Sequence, residues 1–216
     1  TAFIGSTGSG KSTLVNLIPR LYDVTGGKIL IDGVNIKDAD LKELRHKIGF
    51  VPQKGILFSG TIKSNIAFGK NRITNEELEK AAEISQSLEF ISEKEDKFES
   101  VISQGGTNVS GGQKQRLSIA RAIALNPQIY IFDDSFSALD YKTDAKLRKE
   151  LNKNTKDSTI LIVAQRISTV MKADQIIVLD NGSIVGIGKH EELMKNCDVY
   201  REIALSQLSK EELANG

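Results

Sequence analysis

Cysteine is nearly absent. Cys197 is the one thiol in 216 residues, so an internal disulfide framework is excluded and the chain suits a reducing compartment. An excess of charge of either sign is also missing. Lys and Arg total 29 against 28 for Asp and Glu, a formal net charge of +1. A nucleic-acid arm, a polybasic membrane anchor or an acidic tail would each need an asymmetry that is not there. No apolar run approaches the roughly 18–20 residues of a membrane span; the longest, Ile160 to Ala164, is strand-length. The opening TAFIGSTGSGK lacks the charged start and apolar stretch of a secretory signal. The expectation is a soluble, intracellular chain. What is present is ordinary for a globular protein, with 39% hydrophobic residues and 18 glycines. A chain this long buries roughly 70% of its unfolded surface, enough for a substantial core.

Strand-like and helix-like patterns alternate, which predicts an α/β fold with helices covering a parallel sheet. An apolar stub, Ala2 to Ile4, leads into a glycine-rich loop and then a helical pattern from Lys11 to Ile18 stopped by Pro19. Short β-like runs follow, KILID after Gly26-Gly27 and IGFVP at 48–52. From about 70 to 126 the pattern is helical and polar, with Thr74-Asn75-Glu76-Glu77 reading as a capping box and a second helix from Gln113 to Leu125. Residues 128–133 and 159–164 are apolar enough for buried central strands. Asn181-Gly182 between apolar runs is a hairpin signal. Lys189 to Gln207 reads as helix and the last residues as loose.

Gly5 to Ser12 reads GSTGSGKS and satisfies G-x-x-x-x-G-K-[ST] in full. Glycines allow successive backbone N–H groups to face phosphate oxygens, and the following helix aims its positive end at them. Lys11 would reach the β- and γ-phosphates and the Ser12 hydroxyl would ligate Mg²⁺. The alternative, a flexible loop before a helix, explains neither the full motif nor its strand–loop–helix setting. VSGGQKQR at 109–116 opens a helix with small residues, a second anion-binding end or, standing alone, just a loop with a glycine cap. About 20 residues later IYIFDDSFSALD is an apolar strand ending in two aspartates.

Taken together these motifs resemble the nucleotide-binding domain of ABC transporters over essentially the whole chain. GSTGSGKS looks like the Walker A loop, Gln53 the Q-loop glutamine, Ser110, Gly111, Gly112 and Gln113 the signature, Ile129 to Asp133 the Walker B strand, and Ser137 to Asp140 the D-loop. FVPQKGILFSGTIKSNIAFG (50–69), RLYDVTGGKILIDG (20–33) and GKHEEL (188–193) are similar to the exporter branch. The resemblance implies a single domain over 1–216, short at its N-terminus. Its P-loop NTPase core, a RecA-like parallel sheet with an antiparallel β part, would span 1–69 and 127–216, with an inserted α-helical subdomain at 70–126. It implies ATP and Mg²⁺ as ligands, with Gly5, Ser6, Thr7, Gly8, Ser9, Gly10, Lys11, Ser12 and Thr13 on the phosphates, and with Ser12, Gln53 and Asp133 on the metal. It further implies a second nucleotide-binding domain docked head to tail, whose ATP would face Ser110–Gln113 and Asp140. Transmembrane domains of a transporter, at the cytoplasmic face of the membrane, complete the set of partners.

Val109 stands where leucine is usual before the signature, and two positions of the hydrolytic apparatus depart from the family. Asp134 stands where glutamate orients the attacking water, which draws the carboxylate back by ~1.5 Å. Misplacement of about 1 Å can cost on the order of 10²-fold in rate. Gln165, in IVAQR at 162–166, stands where the family has its switch histidine; a glutamine donates a hydrogen bond but carries no titratable proton. The only histidines, His46 and His190, occupy neither slot. Both changes fall in the hydrolytic apparatus while the binding loop is intact. The resemblance is therefore to the degenerate half of a heterodimeric exporter. A self-sufficient homodimeric ATPase is the second reading. A non-transport module that uses ATP as a clamp on nucleic acid or ribosomes is the third, and it lacks the basic surface or long coiled-coil insertions it would need. Asp133 beside Asp134 is weak as a two-carboxylate pair, because neighbours on a strand face opposite ways. SEKEDKFES at 92–100 reads as a solvated helix end, Cys197 as inert, and Tyr22 as a packing residue.

Overall fold

The computed structural model describes residues 1–207; the loose end expected after Gln207 lies outside the described residues. The chain forms two compact units, Thr1–Leu44 with the stretch from Ile160 onward, and Arg45–Thr159.

In the first unit the strand Ala2–Gly5 is buried along its whole length. It pairs in parallel with Thr159–Val163 on one side and Ile176–Asp180 on the other, Phe3 lying opposite Val163 and Ile177. Burial on both faces of a parallel strand requires apolar side chains at every position, which AFIG supplies. The strand Ser183–Gly188 returns antiparallel to Ile176–Asp180. Its turn is the expected Asn181-Gly182, with φ of +46° and +78°, the left-handed pair that a two-residue hairpin needs. A core of Ile4, Ile167, Val170, Val178 and Tyr200 joins these strands to the later helices.

Three expectations are corrected in this unit. The run from Lys189 is two helices, His190–Asn196 and Asp198–Gln207. Cys197 separates them at φ −130°, ψ 105°, an extended conformation that seats its side chain against Gly186, where an added Cβ would lie 2.8 Å from Sγ. Tyr22 is 66% exposed rather than packed; the loop around it is held through Arg20, which bonds Asp23 and the carbonyls of Ile36 and Lys37. In Thr159–Val163 only Val163 is fully buried. Its apolar composition permits complete burial but does not itself supply the cover.

In the second unit Ile48–Val51 runs parallel to Ile129–Asp133. A separate cluster built on Leu57, Ile62, Ile66, Leu78, Ile91 and Leu117 unites the helices Ile62–Ile66, Asn75–Ile84, Leu88–Ser92 and Gly111–Ala124. Thr74 and Glu77 form the expected capping box, with bonds of 3.2 and 3.0 Å. The helix expected from Gln113 starts at Gly111, because Ser110 and Gln113 form a capping box of their own. The strands are mainly parallel with antiparallel additions, the mixed α/β fold expected of a P-loop NTPase core.

Candidate functional site

In the first unit the glycine loop grows from the end of a buried strand. Gly5 passes so close to the neighbouring strand that a Cβ would sit 2.0 Å from the Leu179 carbonyl oxygen, so no other residue fits. Gly8 and Gly10 hold φ of +84° and +94°, the left-handed region that glycine enters without steric cost. Between them the loop closes on itself, Ser9 N–H donating to the Ser6 carbonyl at 3.2 Å. The helix Lys11–Leu17 begins immediately, with no side-chain acceptor capping it and no acidic residue in its first turn. A helix start left in this way favours an anion. Lys11 is 7% exposed. Its Nζ folds back over the loop and donates to the carbonyls of Gly5 (2.9 Å) and Ser6 (2.7 Å) and to Ser9 Oγ (3.2 Å). The positive charge is thus concentrated at the loop, and nothing lies within 4 Å of where a Cβ on Gly8 would stand. These residues fit a phosphate chain. Gln165 lies on this unit, exposed, two residues beyond the strand Thr159–Val163.

In the second unit Asp133 and Asp134 close the strand Ile129–Asp133, at 6% and 7% exposure. Asp134 has φ +46°, where Asp is tolerated better than longer side chains because it bonds locally. Ser137 Oγ donates to its carbonyl at 2.8 Å, and Ser135 Oγ donates across to the Val51 carbonyl at 2.8 Å. Gln53 Nε2 donates to Asp134 Oδ2 at 3.2 Å, so two of the residues singled out from the sequence meet directly. The loop carrying Gln53 rests on the helix Gly111–Ala124. Gln115, 1% exposed, donates from Nε2 to the Pro52 carbonyl at 3.0 Å. A Cβ on Gly55 would lie 2.8 Å from the Lys114 backbone. Farther along the same helix, Arg121 donates to the carbonyls of Asn65 and Ile56 and stacks over Phe58 and Phe68. Burial lowers its pKa to about 10.

Sequence reasoning missed Gln115 as a site residue. The available signal was an amide on the apolar stripe of a helix, since a buried amide needs a fixed partner. The Ser110 and Gln113 side chains bond each other's backbone N–H groups at 3.2 and 3.0 Å. Asp140 caps the helix Tyr141–Asn154 through the Thr143 N–H at 3.0 Å, and that bonding holds its carboxyl pKa below the ordinary value. Arg116 donates to the Gln86 carbonyl and lies over the Phe90 ring. Burial lowers its pKa, against the pull of Asp140 and Glu89.

Among the described residues no group of three or more His, Cys, Asp or Glu side chains could hold a metal ion. A serine hydroxyl and a carboxylate, the groups that Ser12 and Asp133 carry, are ligand types that suit Mg²⁺, which keeps waters and takes substrate phosphates as its remaining ligands. No helix among the described residues is long and apolar enough to cross a membrane.

Residues 1–137 match the family described as ABC transporter. An ABC transporter ATP-binding protein of Mycobacterium tuberculosis is 49% identical over 210 residues, which cover 96% of this chain and 36% of that protein. A putative multidrug export ATP-binding/permease protein of Staphylococcus aureus is 48% identical over 202 residues, 94% of this chain and 35% of the relative. Among solved structures, a bacterial Atm1-family ABC exporter with ATP bound superposes with a TM-score of 0.93 at 35% identity, covering 97% of this chain and 36% of the exporter chain. The chain therefore spans about a third of the length of the relatives it matches. Its motifs, its fold and these matches agree, and the chain belongs to the ABC transporter family.

Proposed function

We propose that the chain is the ATP-binding domain of an exporter, positioned at the cytoplasmic face of a membrane. It would work head to tail with a second ABC nucleotide-binding domain and with the transmembrane domains of the transporter. Family membership and the intact GSTGSGKS loop support ATP binding, and the export named for the relatives supports the direction. Gly5–Thr13 hold the phosphates, Lys11 carrying the charge-assisted bonds. Ser12, Gln53 and Asp133 are the proposed Mg²⁺ ligands. When bound, the metal neutralises charge on the phosphate oxygens.

This domain's own site holds Mg-ATP and hydrolyses it slowly, and one observation carries that reading. Asp134 is a methylene shorter than glutamate, and its carboxylate accepts from Gln53 Nε2 at 3.2 Å. A base that is both withdrawn and engaged is poorly disposed to orient a water. Gln165 adds to the deficit because an amide cannot take up a proton. Ser110–Gln113 and Asp140 serve the partner's ATP, so the signature is useful only if the partner brings a competent glutamate and histidine. A heterodimer with one slow and one active site meets that condition. The test follows Mg-ATP binding and phosphate release in parallel on the full-length protein, with and without its partner. Tight binding with release near background in the absence of the partner is expected. Brisk release from the unpartnered protein would overturn the slow-site reading and make it a self-sufficient homodimer.

A further inference from the structure

The loop that carries Gln165 is held from far along the chain. The short helix Ile167–Val170 follows directly, and the side chain of Arg166, at its N-cap position, makes no capping bond. The bond comes instead from Gln207, at the end of the helix Asp198–Gln207. Its Oε1 accepts from the Ile167 N–H at 2.9 Å, and its Nε2 donates to the Gln165 carbonyl at 2.8 Å. One amide side chain thus satisfies a donor and an acceptor two residues apart, as a neighbouring backbone would. Those two bonds fix the peptide planes on either side of Arg166, and with them the direction in which the Gln165 side chain leaves the chain.

Gln207 does not reach that place by its own flexibility. Tyr200 and Ala204, seven and three residues earlier, are fully buried at 0% exposure, and i, i+4 and i+7 lie on one helix face. The Tyr200 hydroxyl is bonded in turn to His190 Nδ1 at 2.7 Å. The helix is therefore locked in rotation with the Gln207 side of its last turn toward the loop.

We propose that Gln207 is a positioning residue for Gln165, setting how that side chain presents its amide to the γ-phosphate. The inference rests on the reading of Gln165 as the residue in the switch position. ATP and ADP differ by that phosphate, so a residue acting through Gln165 changes ATP affinity and leaves ADP affinity alone. A merely structural residue changes both.

The experiment uses the full-length transporter and photolabels this chain with azido-ATP, competed by ATP or by ADP. The unmodified chain should prefer ATP. Gln207→Ala should lower that preference roughly fivefold through ATP alone, as expected for loss of ordinary neutral hydrogen bonds. Gln207→Glu keeps the acceptor for Ile167 and removes the donor to Gln165, so it should lose at least as much. Gln165→Ala combined with Gln207→Ala should be no weaker than Gln165→Ala alone. Equal weakening of ATP and ADP, an additive double variant, or unchanged ATP affinity in both Gln207 variants overturns the proposal. If the unmodified chain takes up no label, or competes ATP and ADP equally, the switch-position reading itself fails. That outcome is visible before any variant is made.

Discussion

The phosphate loop and the Gln53–Asp134 pair solve the same problem, holding a polar group near a strand end, by opposite means. Lys11 finds its acceptors two to six residues away, inside one turn of chain. Asp134 finds the Gln53 amide 81 residues away, across two strands and on a loop that is itself seated on a helix. The local arrangement is closed by backbone geometry that the glycines permit, and it survives wherever the motif is spelled out. The distant one depends on side-chain length to the ångström, so adding a methylene at position 134 would change it. The proposed slow turnover with intact binding rests on that difference.

The sharpest way to break the comparison is at the local end. Lys11→Met removes the charge at the loop and should weaken ATP binding by on the order of 10²-fold or more, since hydrogen bonds from a charged donor are each worth about 1.5–3 kcal/mol; isothermal titration measures it. The distant end should respond to restoration. Asp134→Glu with Gln165→His should raise phosphate release on the order of 10²-fold, leaving ATP affinity near that of the unmodified protein. Turnover that stays flat in that double variant would overturn the reading of Asp134 and Gln165 as the cause of slow hydrolysis.

A smaller effect is expected where the distant pair is supported. Gln115→Met keeps the volume but leaves the Pro52 carbonyl without its donor, at a cost of about 1–2 kcal/mol in denaturant unfolding. It should also lower the residual turnover and leave the glycine loop's nucleotide affinity nearly unchanged. The smallest effect is a pH dependence in the first unit. Burial holds the His190 pKa below its ordinary 6.5, against a weaker pull from Glu191. The unfolded chain then binds a proton that the folded chain resists, so this contribution is present above pH 6.5 and is lost as pH falls through the folded pKa. Melting temperatures from pH 7.5 down to 5.5 should fall less for His190→Asn than for the unmodified protein.

Much of the molecule was legible where the information is local. GSTGSGKS, the Thr74–Glu77 box and the Asn181-Gly182 turn each act within a few residues, and each has the expected form. The helix Gly111–Ala124 starts two residues before the expected Gln113, because Ser110 and Gln113 bond reciprocally. The break at Cys197 and the exposure of Tyr22 were not legible. Each depends on which surface the chain meets: Gly186 makes room for the cysteine, and Arg20 holds the loop on which Tyr22 stands out.

By itself the sequence determined the phosphate loop, the Thr74–Glu77 capping box, the hairpin and the family, because these rest on backbone conformations and spacings that neighbouring residues impose. Only the tertiary structure decided that Gln53 meets Asp134, that Gln115 carries the loop before Gln53, and that Gln207 holds both sides of Arg166. Those bonds join residues 40 to 81 positions apart. Over such separations no local preference operates, and the packing of strands and helices alone fixes which amide reaches which oxygen.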